Sequence, residues 1–326
     1  MIDLSLLPPP DVVETLEFET LYQQILGDFR AHMGDQWTAV LESDPVVKLL
    51  EVAAYQKMLG RARINAAAKA SLLAYARGAD LDNRGADFDV KRLELVPADP
   101  DAVPPVAAVM EKDDDFLYRI RLSLERLSVA GGRGAYEYHA LTASADVASV
   151  SVDSPTFKAA EISADVRALL PAGAIVLVCD YAAGLSNPLP GDVSLSVLPI
   201  VGSAADPAAL VAAVQKSVSN EDVRPITDRP RSLLGQPDEY RVIAKLEVLD
   251  GPSLPIVVAA AKAKLAAVIA AARDLEGELS LSAIYGALHA SGVRRVLLES
   301  PTADVMSDKR HYPSCIGIDV KGVVVS

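Results

Sequence analysis

Aromatic residues make up only 5% of this 326-residue chain, with a single Trp. Hydrophobic residues are nonetheless 51% of the total, so Ala, Val, Leu and Ile must fill the interior. The same shortage disfavours a receptor-binding surface, which draws on aromatics. Positive charge is also short: 31 Lys and Arg face 44 Asp and Glu, a net charge of −13. That balance argues against nucleic-acid binding, which needs clustered cations to release counterions. It equally disfavours attraction to an anionic membrane surface. Cysteine is limited to Cys179 and Cys315. A disulfide between them stays open, but two thiols in apolar strands read first as buried small hydrophobes. The opening Met1-Ile2-Asp3-Leu4 has neither a basic region nor a secretory apolar core, so a cytoplasmic protein is expected. The longest apolar run, Ile256 to Ala272, is mostly alanine and is broken by Lys262 and Lys264. It reads as a soluble helix and not as a membrane insertion.

Groups that carry chemistry are equally sparse. Of the four histidines, His139 and His289 occupy matching places in two similar helices, His32 lies near a helix end, and His311 lies in a polar loop. No pair has metal-ligand spacing. The turn Ala130-Gly131-Gly132-Arg133-Gly134 lacks the Lys-Ser/Thr of a phosphate loop and reads as a helix stop. Neither cysteine has basic neighbours that would activate a thiolate, and no Gly-x-Ser-x-Gly elbow is present. Asp113-Asp114-Asp115 reads as the acidic start of a helix in preference to a metal site. The expectation is a protein without catalytic residues, metal or cofactor. The competing reading is an enzyme with an unrecognised carboxylate pair.

What the sequence does contain is a long apolar helix signal, Glu42 to Gly78. Asp44 is a good N-cap, Pro45 suits the first helical position, and Gly78 offers a left-handed stop before Asp80 caps a short helix to Phe88. Within it, Val47, Leu50, Ala54, Met58, Arg61, Asn65, Ala68, Leu72 and Tyr75 recur at steps of three and four, a coiled-coil-like seam with two polar members. Apolar residues spread over most of the circumference, so more than one neighbour should bury this helix. Arg61 and Asn65 are expected to set the register of a bundle, or else one or both face solvent or cap a contact within the chain. Before the helix, Leu6-Leu7-Pro8-Pro9-Pro10-Asp11 is extended by necessity, an arm laid on a surface or a disordered end. A shorter helix is expected from Phe18 to His32, with Leu21, Tyr22, Ile25 and Phe29 on one face.

Farther on, a proline-rich stretch from Val96 to Val106 reads as a linker. The helix opened by Asp113 should carry Phe116, Ile120, Leu124 and Leu127 as far as Gly131. Strands and helices then alternate. Ala135-Tyr136-Glu137-Tyr138-His139 leading into Val147–Val152 and Ser154-Pro155 resembles Ile284–His289 leading into Val293–Glu299 and Ser300-Pro301, which suggests an internal repeat. The fold class expected is α+β: a helical N-terminal bundle region followed by two related α+β domains. Residues 1–40 would be arm and helix, 41–112 the bundle helix and linker, 113–222 the first α+β domain and 223–326 the second.

Several of these motifs resemble the baseplate J-like proteins of contractile-tailed temperate phages and R-type tailocins. The resemblance rests on Ile2-Asp3-Leu4-Ser5 with the proline arm, Glu17–Leu21, Leu41–Glu51, Arg61–Ala67, Leu72–Asp82, Asp114–Ile120 and Leu127–Gly131 with Ala135-Tyr136. It implies a structural wedge protein that joins a second copy of itself and a tail protein I-like partner through long helices. The α/β domains would close six wedges into a ring around the hub and relay the trigger for sheath contraction. The resemblance also implies contact with other baseplate proteins, including the hub and the sheath-initiating wedge component. The location implied is host cytoplasm during assembly and then the virion or tailocin baseplate.

Overall fold

The structure, a computed structural model, describes residues 4–37, 41–128, 131–203, 205–250 and 253–325. Ile2 and Asp3 of the opening motif, and Val129 and Ala130 before the glycine turn, lie outside the described residues. Contacts divide the chain into two compact units, residues 1–92 with 112–120, and residues 93–111 with 121–326.

The first unit is helical. Helix α1 (Phe18–Met33) buries Leu21 and Leu26 and packs on α2 (Pro45–Ala70). After a run of turns come α3 (Gly78–Asp87) and the first part of α4 (Asp113–Leu122). Phe116 and Ile120 of α4 are fully buried. Gly85 of α3 is required here: a Cβ would lie 2.5 Å from Phe116 Cζ and 2.8 Å from the Val90 carbonyl oxygen. Arg92 stacks 4.7 Å from the Phe116 ring centre and pairs with both Asp82 and Asp113 at 2.7 Å. The first of the three adjacent aspartates thus serves structure, as its place at the start of α4 suggests.

The second unit begins with a hairpin, where the proline-rich stretch suggested a linker. Strand β1 (Glu94–Val96) pairs antiparallel with β2 (Val109–Met110), and Asp99 bridges Val106. The helix expected to run through Leu127 ends instead at Leu122. Leu124 and Leu127 are exposed because the chain tightens into a 3-10 turn, Glu125–Leu127. That turn packs on the next helix, α5 (Arg133–Ala143), where Gly134 leaves room: a Cβ there would lie 2.8 Å from Glu125 Cγ. Gly131, at φ +70°, and the N-cap Gly132 therefore open α5.

Strand β3 (Val147–Asp153) follows, then a small lobe of β4 (Thr156–Ala159), α6 (Ala164–Ala168) and β5 (Leu177–Tyr181). Next come β6 (Asp192–Pro199), α7 (Pro207–Val218) and β7 (Arg229–Leu234). Gly235 leads directly into β8 (Gln236–Leu249). The remainder is α8 (Leu254–Ala272), β9 (Glu278–Leu279), α9 (Leu281–Leu288), β10 (Val293–Ser300), β11 (Val305–Met306) and β12 (His311–Val325). Cys179 and Cys315 are free thiols and only half-buried, since Cys179 belongs to the exposed β4–β5 lobe and Cys315 adjoins the bulge of β12.

Two three-stranded sheets dominate this unit, in the orders β3-β6-β7 and β10-β8-β12. Each has a central strand with an antiparallel neighbour on one side and a parallel one on the other. In each, the antiparallel neighbour follows the Tyr/His-bearing helix, and two helices pack together, α5 with α7 and α8 with α9. The repeat read from sequence is therefore real in space, and the fold is α+β with a helical N-terminal region. The chain order differs, however. Helix-strand pair α5–β3 precedes the first sheet's central strand, whereas α9–β10 comes after the second sheet's central strand and its helix α8.

Alternation governs the packing of the second sheet. In β8, Tyr240, Val242, Ala244, Leu246 and Val248 are buried, while Arg241, Lys245 and their neighbours are not. Onto the buried side α8 places Val257, Ala261 and Leu265 at four-residue steps. This apolar helix thus docks on a sheet along one stripe. The first sheet is unusual in burying polar residues: Ser151, Asp153, Asp192, Ser194 and Ser196 are all under 10% exposed. Arg231 at 3.2 Å and Arg229 at 3.4 Å supply the counter-charge to Asp192. Ser151 Oγ donates to Glu276 Oε1 at 2.8 Å, and Lys309 Nζ to Asp153 Oδ1 at 2.8 Å. Loops of the second half are tied to this polar face.

Candidate interaction helix and its arm

Helix α2 starts as its sequence requires. The Asp44 carboxylate accepts the Val46 N–H at 2.8 Å, and Pro45 occupies the first helical position. It ends earlier than the apolar periodicity suggests, at Ala70. Ser71 donates its hydroxyl to the Ala68 carbonyl at 2.8 Å, the acceptor a continuing helix would offer Leu72, whose N–H bonds the Lys69 carbonyl at 3.0 Å instead. Such local bonding competes with helix continuation. Leu72 and Tyr75, the last two seam residues, consequently lie in the turns beyond. Gly78, at φ +52°, opens α3 in place of closing α2, and its N–H is accepted by Asp113 at 3.0 Å. Asp80 is in the first turn of α3 and does not cap it.

Seam residues Val47, Leu50, Ala54 and Asn65 are buried; Met58, Arg61 and Ala68 are half-buried. What covers this face belongs to the chain itself. Asn65 reads the Glu14 backbone at both ends, accepting its N–H at 3.0 Å and donating to its carbonyl at 2.7 Å. Arg61 pairs with the Glu14 carboxylate at 2.9 Å. Tyr75 donates its hydroxyl to the Leu7 carbonyl at 2.7 Å. The proline arm is thus laid along α2, and the two polar seam residues are the groups that hold it. Sequence periodicity finds the seam but has no means of naming its occupant, because the partners stand 51 and 68 residues away.

The other side of α2 exposes several apolar residues around Gln56 and Arg63. Leu49 is 67% exposed, Val52 56% and Ile64 56%, with Leu59 also exposed. Leu49, Val52, Leu59 and Gly60 share an arc with Ala53 and Ala67 by helical spacing. This surface has no arrangement suited to bond-making.

The perturbed ionisable groups elsewhere are structural in their geometry. Burial, then the Asp228 carboxylate at 2.8 Å, pushes the Tyr136 hydroxyl well above the usual phenol range. The hydrogen bond to Asp153, followed by burial, raises Tyr181 to about 12. Burial alone would raise Asp153, but Lys309, Tyr181 and the Ser154 N–H together hold it below the usual carboxylate range. Among the described residues no group of three or more His, Cys, Asp or Glu is placed to hold a metal. A depression of about 560 Å³ on the second sheet exposes Lys245, Glu299, Asp319 and Lys321, two charges of each sign on an open strand face.

The family model of the Baseplate J-like N-terminal domain matches residues 42–99, the segment containing α2 and α3. Baseplate protein J of Escherichia phage P2 is 39% identical over 325 residues, covering 97% of this chain and 95% of that protein. A chain in the cryo-EM structure of the anti-feeding prophage baseplate aligns with 92% of this chain at 14% identity and a TM-score of 0.27. This chain spans 53% of that chain's length. On identity and coverage with the phage P2 protein, the chain belongs to the baseplate protein J family.

Proposed function

We propose that this chain is a structural wedge component of a contractile-tail baseplate, and that α2 is its bundle helix. The observation that carries the reading is the exposed apolar group Leu49, Val52 and Leu59 on the helix that the family's N-terminal domain contains. An uncovered stripe of this size on a long helix favours burial by other helices. The seam from Val47 to Tyr75 serves the bundle from inside: with α1 and the arm it sets α2 as a pre-formed hairpin, leaving the opposite face for partners. Those partners are a second copy of this chain and a tail protein I-like protein, with the hub and sheath-initiating components beyond. The role is non-catalytic, assembly takes place in the host cytoplasm, and the wedge relays the trigger for sheath contraction. Co-expression with the neighbouring reading frames, followed by native mass measurement, tests this. A heteromer with two copies of this chain is expected; a well-behaved lone monomer sinks the reading.

A further inference from the structure

Strand β12 lies at the edge of its sheet, fully paired on one side with β8 from His311 to Val325. Among the described residues, none of its backbone groups from Ile318 to Val325 bonds to a loop or turn, while the Gly317 carbonyl accepts from the Cys315 thiol at 3.4 Å. Natural edges are blunted by bulges, prolines or charged side chains, and the charges here, Asp319 and Lys321, pair with each other within the strand. Here the bulge and the proline fall at the start, at Cys315/Gly317 and Pro313, and the run from Ile318 onward has neither. Ile316, Ile318, Val323 and Val324 are exposed along it. A row of free backbone donors and acceptors this long is a template for another strand.

The side chains say which strand fits. Val320 is buried and Gly322 lies against Leu254 and Val258 of α8, so both face the helices. Asp319 and Lys321 stand on the opposite face, 3.1 Å apart and 55% and 77% exposed at their side chains. Lys321 is also directly across from Lys245 of β8, so its sheet neighbour on the paired side carries the same charge. A carboxylate on its open side would relieve that juxtaposition.

We propose that the free edge of β12 pairs antiparallel with the same edge of a second copy, about a two-fold axis at Val320. In that register Asp319 faces Lys321 of the partner copy and Lys321 faces its Asp319, so the edge is complementary to itself. Ile316 then meets Val324, and Gly317 meets Val323. An isologous contact of this kind closes on itself and does not propagate into a fibre. The inference rests on the two-copy reading above for its occupant and adds the strand, direction and register.

Charge exchange tests it in the full-length chain. Asp319→Lys and Lys321→Asp are each expected to weaken self-association about tenfold, since each places like charges opposite one another twice. Mixing the two variants restores both pairs, so native mass should show mixed dimers in excess over either homodimer. Unchanged thermal melts show that the exposed substitutions leave the fold intact. A wild-type chain that stays monomeric at tens of micromolar (roughly the range of a weak specific contact), or mixtures without preference for mixed dimers, would overturn the pairing. So would a photo-crosslinker at Val323 that captures the co-expressed partner protein and no second copy. Variant mixtures without preference for mixed dimers, beside a co-expressed wild-type heteromer that keeps two copies, overturn the edge pairing and leave the wedge reading standing; a wild-type heteromer with one copy overturns both.

Discussion

Asn65 is a buried amide with two backbone partners on one distant residue, Glu14. Its sequence position in an apolar seam announces that something must satisfy it, because an unpaired buried amide is costly. Leucine at position 65 would leave the Glu14 N–H and carbonyl without their partner. Asn65→Leu is expected to cost about 1–3 kcal/mol and to release the arm. Limited proteolysis between Leu7 and Val13 should speed up in the variant while the second unit stays resistant. Asp113 offers a second test at this scale. The Gly78 N–H, then the Arg92 guanidinium, holds its carboxyl below the ordinary value against partial burial. A depressed folded-state pKa contributes stability that is present above the unfolded value and is lost as pH falls through the folded one. The first unit should therefore lose stability on acidification below the ordinary value of 3.8. Asp113→Asn should be less stable at neutral pH and lose less on acidification, as read by denaturant melts at pH 7 and at about pH 3.

At the scale of elements, the long helix was legible because its determinants are local. Asp44 and Pro45 fix its start, and its periodicity marks the buried stripe. Its end was not legible: Ser71 breaks the helix by bonding to its own preceding turn, a choice that apolar spacing does not encode. Nor could spacing alone divide the circumference between the chain's own arm and an outside partner. The exposed stripe makes a separable prediction. Leu49→Glu with Val52→Glu should change stability by no more than about 0.5 kcal/mol per site, as surface substitutions usually do. Circular dichroism should show unchanged helicity, while co-expression loses the heteromer. A double variant that still assembles fully would remove this face from the bundle. The β-elements were read well where burial alternates, as in β8, and β5 was found through the apolar run around Cys179, but β4 and α6 were missed, being short and lacking that alternation.

Across the whole molecule, the internal repeat was visible in sequence only through its Tyr/His helix and Ser-Pro strand end. The exchanged chain order around the two central strands hid the rest, since a linear comparison cannot align elements that swap places. The buried polar face of the first sheet was hidden for another reason: alternating Ser and Asp normally mark the solvent side of a strand. Here loops from more than a hundred residues away cover it, through Glu276 and Lys309. Lys309→Met should strand the Asp153 carboxylate and cost about 1–3 kcal/mol. Because Asp153 is held below its ordinary value, that loss should be full at neutral pH and shrink as pH falls through its titration. Hydrogen exchange at β3 and β6 reads the effect directly. The arm carries one more consequence, for the order of events on the ribosome. Leu7 to Glu14 are translated first, yet Asn65 and Tyr75 emerge 51 and 68 residues later than the groups they bind. Until then the leading segment has no dock, so the arm stays uncovered through the synthesis of most of α2. Slowing translation just before Asn65 should lengthen that interval and raise the demand for chaperones, whereas slowing it after Tyr75 should not.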